Sequence, residues 1–213
     1  MVGGAFVTFE GADGSGKSTQ LRRFAARLAA RNVPHVVTRE PGGTAAGLEI
    51  RRLVLEPRIP AIVPDAELLL YAADRAQHVR EVILPAIAGG LVVLCDRFTD
   101  ATVAYQGYGR GLDLEIIQRL NDIATGGLQP DLTLVFDLDV DEALGRLAAR
   151  ADVEVPTRFD LEKRDFHARV REGYLAIARA NPARVRVLDA SGTEDEVAAR
   201  VDEAVREVLS AEC

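Results

Sequence analysis

Gly11-Ala12-Asp13-Gly14-Ser15-Gly16-Lys17-Ser18 matches the pattern G-x-x-x-x-G-K-[ST], and each residue type in it has a physical task. The glycines let the backbone curl until consecutive N–H groups point into one concavity that holds phosphate oxygens. Lys17 adds a compact positive charge for the β- and γ-phosphates, and the Ser18 hydroxyl is a ligand for Mg²⁺. Upstream, Ala5-Phe6-Val7-Thr8-Phe9 reads as a buried strand. Downstream, Ser18 to Arg31, beginning Ser18-Thr19, reads as a helix with apolar Leu21, Phe24, Ala25 and Leu28 at helical spacing. Strand, loop and helix in that order put a helix N-terminus under an anion.

The same alternation runs through the chain. Strands are expected at Val33–Thr38, Leu91–Cys95, Leu132–Leu138 and Val185–Asp189. Helices are expected at Gly47–Leu55, Pro64–Ala88, Asp113–Thr125, Val140–Arg150, Leu161–Ala180 and Thr193–Leu209. The last opens on a capping-box pattern, Thr193 with Glu196. Continuous apolar runs such as Leu91-Val92-Val93-Leu94 mark strands buried on both faces, the signature of a parallel sheet. The expected fold is a three-layer α/β/α domain around a five-stranded parallel sheet, with all 213 residues in one domain. Ligands then gather at the carboxyl ends of the strands. Ala149–Lys163 mixes charges, Pro156 and β-branched residues without periodicity. It reads as a mobile flap, a lid spanning about residues 146–164, or as an ordinary surface loop.

A net charge of −7 argues against general nucleic-acid binding. No run approaches the ~18 apolar residues of a membrane-spanning helix. The first apolar run is too short and lacks the basic flank of a signal peptide. Cys95 and Cys213 form no disulfide framework, so a reduced, cytoplasmic setting is expected. Of 26 basic side chains only Lys17 and Lys163 are lysines. Lysine is thus nearly avoided, yet kept where a guanidinium would not fit.

Other groups cluster at expected strand ends. Asp96 closes a hydrophobic strand, the usual place of a carboxylate that helps hold Mg²⁺ or its waters. Arg97 follows, placed to fork onto a phosphate or to form a surface salt bridge. Arg39 and Glu40 precede the tight turn Pro41-Gly42-Gly43, as site residues or as a solvated pair. Tyr71 and Arg75 lie four apart on one helix face. They could stack on and hydrogen-bond a base, or be a core tyrosine beside a surface arginine. Ala104-Tyr105-Gln106-Gly107-Tyr108-Gly109-Arg110-Gly111 is a base-reading segment, through the Gln106 amide, or a plain loop. Arg146, Arg150, Arg158 and Arg164 lie in or beside the flap; each taken singly reads as a solvated surface arginine, while one of the four can neutralise a migrating phosphoryl group as the flap excludes water.

Phe9-Glu10-Gly11, the phosphate loop, Arg39-Glu40-Pro41-Gly42-Gly43-Thr44, Asp96-Arg97-Phe98, Ala104-Tyr105-Gln106-Gly107 and Phe166-His167-Arg169-Val170-Arg171-Gly173-Tyr174 occur in the order and spacing of one family. Over essentially its whole length the chain resembles bacterial thymidylate kinases. The resemblance implies ATP as phosphoryl donor, dTMP as acceptor, Mg²⁺ as cofactor and a homodimer. It implies that Asp13 faces the acceptor's 3′-hydroxyl and that Arg97, with Arg39 as helper, holds its phosphate. Tyr71 would stack on thymine and Arg75 would bond the base. Glu40, Thr102, Tyr105 and Gln106 would complete the acceptor pocket, with Tyr105 crowding the 2′ position. Asp189-Ala190-Ser191-Gly192 would pass the adenine, with Arg146 stacked on it. Position 14 is glycine where some members have an arginine, so the catalytic cation is expected in the flap, with Arg150 and Arg158 the candidates. Two other readings stay open: a kinase of another small acceptor such as a deoxynucleoside, and a non-catalytic nucleotide-binding protein.

Overall fold

The computed structural model describes residues 4–57, 62–151 and 155–209. Five strands, β1 (Phe6–Gly11), β2 (His35–Arg39), β3 (Val92–Asp96), β4 (Leu132–Asp137) and β5 (Val185–Asp189), form one parallel sheet in the order β2-β3-β1-β4-β5. The three inner strands are almost wholly buried, whereas edge strands β2 and β5 are partly exposed. That is why Leu91–Leu94 reads as an unbroken apolar run and β2 does not.

Alternation along β1 divides the core. Val7 and Phe9 point to one face, where they meet Leu21, Phe24 and Leu28 of α1 (Lys17–Ala30) and Val201 and Val205 of α9 (Glu194–Leu209). Phe6 points the other way, into a cluster with Val79, Ile83, Val93 and Phe98. The remaining helices are α2 (Ala45–Leu55), α3 (Pro64–His78), α4 (Leu84–Ala88), α5 (Thr99–Thr102), α6 (Leu114–Thr125), α7 (Val140–Ala151) and α8 (Arg164–Ala180). Thr44 caps α2 and Asp113 caps α6 through their side chains. The Thr193–Glu196 capping box is present: Glu196 accepts from the Thr193 N–H at 2.8 Å and Thr193 accepts from the Glu196 N–H at 3.3 Å.

The helical stretch expected as one element at 64–88 contains a π-helical turn, Val79–Ile83, between α3 and α4. Pro85 has no N–H to give and its ring crowds the carbonyl four residues back, so the helix widens by one residue rather than break. Residues 104–111 are not a plain loop. Most of them lie in a second π-helical turn, Val103–Gly109, which continues α5 and packs on α8. Two glycines and two tyrosines hide the helical period of this turn. The flap helix starts at Arg164 rather than Leu161, because residues 158–162 form turns tied to α2 by the Arg158 N–H bond to the Leu55 carbonyl.

The connection leaving β1 crosses to one side of the sheet, and that leaving β3 crosses to the other. The crevice between them, at the strands' carboxyl ends, is the topological switch point of the sheet. The phosphate loop opens there. Gly14 has φ +82°, and a Cβ on it would overlap the backbone of Ala143 in α7. No side chain fits at this position, which explains physically why the loop carries glycine and no arginine. Replacing Gly14 by alanine is expected to destabilise the fold by at least about 2 kcal/mol in urea unfolding, from left-handed backbone strain plus overlap. An unchanged midpoint would contradict this packing.

Candidate active site

A cavity of 710 Å³ occupies the switch point. The loop end contributes Asp13, Lys17 and Ser18, and the end of β3 contributes Asp96, with Arg97 just after it. The far end is walled by Arg39, Glu40, Tyr71, Arg75, Thr102, Tyr105 and Gln106. All nine residues read from the sequence as acceptor-side thus meet in one space.

Its centre is the Arg97 guanidinium. Nη1 donates to the Gly11 carbonyl at 3.1 Å and the Tyr174 hydroxyl at 2.9 Å. Nη2 donates to Asp13 Oδ1 at 2.7 Å and the Tyr105 hydroxyl at 2.9 Å. The Tyr105 hydroxyl donates in turn to Asp13 Oδ2 at 2.7 Å, and its ring lies 4.6 Å from the guanidinium carbon. Four Nη hydrogens are therefore committed, and Nε–H is left for a further acceptor. Arg97 adopts φ +73°, a conformation that costs a non-glycine residue about 1–3 kcal/mol. The strain aims the side chain back across the loop.

These contacts set the charges. Burial alone would raise the Asp13 carboxyl, but Arg97, Lys17 and the hydrogen bond from Tyr105 outweigh it and hold the group well below the usual carboxylate range. Burial lowers the Lys17 ammonium and Arg97 adds repulsion, while Asp13, 3.7 Å away, and Asp96 oppose them. Beneath Arg97 lies Glu10, fully buried, accepting from the Tyr174 hydroxyl at 2.8 Å and the Phe98 N–H at 2.6 Å. Burial first, then the charge of Asp100, pushes the Glu10 carboxyl up to about 8.

At the far end, Arg75 is buried, contrary to the reading of a surface arginine. It donates to Glu40 Oε2 at 2.8 Å, Asn121 Oδ1 at 2.7 Å and the Phe98 carbonyl at 3.0 Å. Glu40 is not part of a solvated pair: its other oxygen meets His78 Nδ1 at 2.9 Å. Arg39 is exposed on the rim. Gln106 is buried and donates from Nε2 to Glu67 at 2.8 Å.

Ser18 Oγ donates to Asp96 Oδ2 at 2.5 Å, so hydroxyl and carboxylate stand together beside Lys17. Two hard oxygen ligands suit Mg²⁺. Among the described residues no group of three or more His, Cys, Asp or Glu could hold a metal. Arg146 of α7 lies over Gly16, paired with Glu142 at 2.7 Å and reaching the Ala190 carbonyl at 3.4 Å, which joins the loop to Asp189–Gly192. The Arg150 side chain lies outside the described residues. Arg158 donates to Glu67 at 2.6 Å, on the acceptor side. Thr19 lies in the first turn of α1.

The sequence reading missed Arg51, Glu67 and Asn121, and gave no role to Glu10 or Tyr174. Arg51 lines the cavity and donates to the Pro41 carbonyl at 3.0 Å. Arg51, Glu67 and Asn121 sit within helices without a local motif, Glu67 in the first turn of α3. Only helical spacing to Tyr71 could have pointed to Glu67, one turn earlier.

A glycine-rich loop at a β1–α1 junction, a hydroxyl–carboxylate pair and a cationic second compartment define a phosphate-loop α/β protein that handles two phosphorylated ligands. The family model "Thymidylate kinase" matches residues 9–201. The chain is 55% identical to the thymidylate kinase of Nitratidesulfovibrio vulgaris (strain DSM 19637 / Miyazaki F) over 210 residues, covering 97% of this chain and 98% of that one. It is 52% identical to that of Geobacter sp. (strain M21), over 95% of this chain and 92% of the relative. The crystal structure of thymidylate kinase from Ehrlichia chaffeensis superposes with a TM-score of 0.77 at 34% identity, covering 95% of this chain and 99% of that one. The chain belongs to the thymidylate kinase family.

The sign of the Glu10 effect on stability is fixed by its direction. With a folded value near 8 and an ordinary unfolded one, its contribution is complete below about pH 4.5 and is lost as pH rises through 8. Glu10→Gln, which cannot ionise, should gain about 5 °C in Tm relative to the native chain between pH 5 and pH 9. Parallel Tm profiles for the two proteins over that range would refute the assignment.

Proposed function

We propose that this chain carries out the reaction of its family, transfer of the γ-phosphoryl group of ATP to dTMP, giving ADP and dTDP, within the 710 Å³ cavity. The observation that carries the reading is the Asp13–Arg97–Tyr105 node, which stands between the phosphate loop and the aromatic–arginine compartment. A protein that held only a triphosphate would have no use for the second compartment, and a neutral acceptor would need no guanidinium at the boundary.

An anionic oxygen of the dTMP phosphate attacks the γ-phosphorus in line, the bond to the β-phosphate oxygen breaks, and ADP leaves. The attacking oxygen is already deprotonated at neutral pH, so positioning and charge neutralisation carry the catalysis. Lys17 and the loop N–H groups hold the donor phosphates. Arg97, through Nε–H, meets the acceptor phosphate, with Arg39 and Arg51 beside it. Asp13 takes the 3′-hydroxyl as a hydrogen-bond acceptor, a role its depressed pKa supports. Tyr71 covers the base face, Arg75, Thr102 and Gln106 meet its edge, and Tyr105 closes the 2′ side. Ser18 and Asp96 would hold Mg²⁺, which when bound offsets charge on the β- and γ-phosphates. Arg146 lies over the adenine. Of the two flap arginines, Arg158 is tied to Glu67; Arg158 and Arg150 both stay candidates to meet the migrating group. Glu40 acts indirectly, as the carboxylate that orients Arg75.

We further propose that the chain works as one domain, in the cytoplasm, as a homodimer; no helix among the described residues is long and apolar enough to cross a membrane. Exposed Leu69 on α3 and Ile116 and Ile123 on α6, two helices packed together, supply apolar surface for pairing.

With ATP and each common nucleoside monophosphate in turn, dTMP should give the highest kcat/KM; a clear preference for another acceptor would overturn the reading. Lys17→Ala should retain less than about a tenth of the native turnover. Tyr105→Ala should narrow the deoxy-over-ribo preference, and an unchanged ratio would remove Tyr105 from the discriminating wall.

A further inference from the structure

We propose that Glu67, which lies outside the catalytic set, fixes the hydrogen-bonding polarity of the acceptor pocket and so selects pyrimidines that carry an N3–H, thymine and uracil, against cytosine. The inference rests on reading the cavity as a pyrimidine monophosphate site.

Glu67 sits in the first turn of α3 and is 1% exposed. Oε1 accepts from Gln106 Nε2 at 2.8 Å and, more weakly, from Arg110 Nε at 3.4 Å; Oε2 accepts from Arg158 Nη2 at 2.6 Å. A carboxylate among these donors offers only acceptors, so the Gln106 amide must present its nitrogen to Glu67. The amide oxygen is thereby kept off Glu67, on a side chain that lines the cavity. Arg75 lines the same cavity and can only donate, its orientation fixed by Glu40, Asn121 and the Phe98 carbonyl. The pocket thus presents one acceptor and one donor of fixed identity.

Thymine and uracil offer the complement, an N3–H donor beside an O4 acceptor. Cytosine offers the reverse, a bare N3 beside an N4 amine. To receive cytosine, Gln106 would have to rotate its amide and set its oxygen against the buried Glu67 carboxylate. Facing acceptors in a buried site are strongly unfavourable, and a site with fixed polar groups rejects the mismatched edge far better than an apolar one does. Tyr71, one turn along α3, lines the same cavity. Glu67 is therefore a positioning residue. It touches no substrate and acts through the orientation of Gln106.

The test is the ratio of kcat/KM for dTMP to that for dCMP. Glu67→Gln allows the residue-67 amide to donate, frees Gln106 to rotate, and should lower the ratio at least tenfold. If both substrates lose rate equally and the ratio stands, Glu67 only anchors the flap and the proposal fails. Arg158→Ala removes the flap contact but leaves Glu67 on Gln106, so its ratio should match the native one; a fall equal to that of Glu67→Gln would overturn the proposal. A measurement on the native protein needs no folded variant. N3-methyl-dTMP, which lacks the N3–H, should lose at least a hundredfold in kcat/KM against dTMP, and equal turnover would overturn the assignment. Absence of dTMP turnover by the native protein would overturn the functional reading and this inference together, whereas dTMP turnover with an unchanged ratio overturns the inference alone.

Discussion

The rest of the site depends on the burial of one guanidinium. Arg97 sits between the phosphate loop and the acceptor compartment, and a cation taken from water there must be met by acceptors on every side or not form at all. The Gly11 carbonyl, Asp13, Tyr105 and Tyr174 supply them from four separate segments: the end of β1, the loop, the π-helical turn and α8. The β1–loop stretch, the π-helical turn and α8 are far apart in sequence, so the ion pins the tertiary arrangement while also facing the ligand. Its positive φ is tolerated because β1, through the Arg97 N–H bond to the Phe9 carbonyl, holds the backbone in place. Behind it, Tyr174 passes the contact to Glu10, a carboxyl buried so deeply that it holds its proton near neutrality.

The acceptor end follows the same logic with a different pair. Glu40, in the cavity wall, and Glu67, behind it, each fix one edge-reading side chain, Arg75 or Gln106. Two buried carboxylates thus determine what the pocket donates and accepts. Because Glu67 also receives Arg158 and Arg110, whose other partner is Glu162, the flap and the base-reading amide share one anchor.

Much of this was legible in the sequence, for local reasons. The phosphate loop is contiguous, so its backbone requirement is written in adjacent residues. The inner strands show as apolar runs because both of their faces are covered. Strand ends shifted by one or two residues, since β1 and β3 run on into polar Glu10, Gly11 and Asp96, where hydrogen bonding persists after hydrophobicity ends. The π-helical turns were illegible because their spacing matches neither strand nor helix period. Asn121 and Glu67 could not be read because a buried polar residue looks in sequence like a solvated one. The choice between a surface and a buried Arg75 turned on Glu40, Asn121 and Phe98, 35, 46 and 23 residues away. No window along the chain contains that information.

The scarcity of lysine has a practical consequence at the cavity floor. Lys17 is buried there with a lowered pKa, while Lys163, the only other lysine of the chain, is exposed at the N-cap of α8. The two amines differ both in access and in nucleophilicity. A small acylating reagent therefore meets a protein with one outward lysine as an internal standard and one inward lysine as a reporter. Mass mapping of just two lysines, each in a peptide that ends at an arginine, would register occupancy of the phosphate loop in a crude mixture, with no chromophore, radiolabel or coupled enzyme.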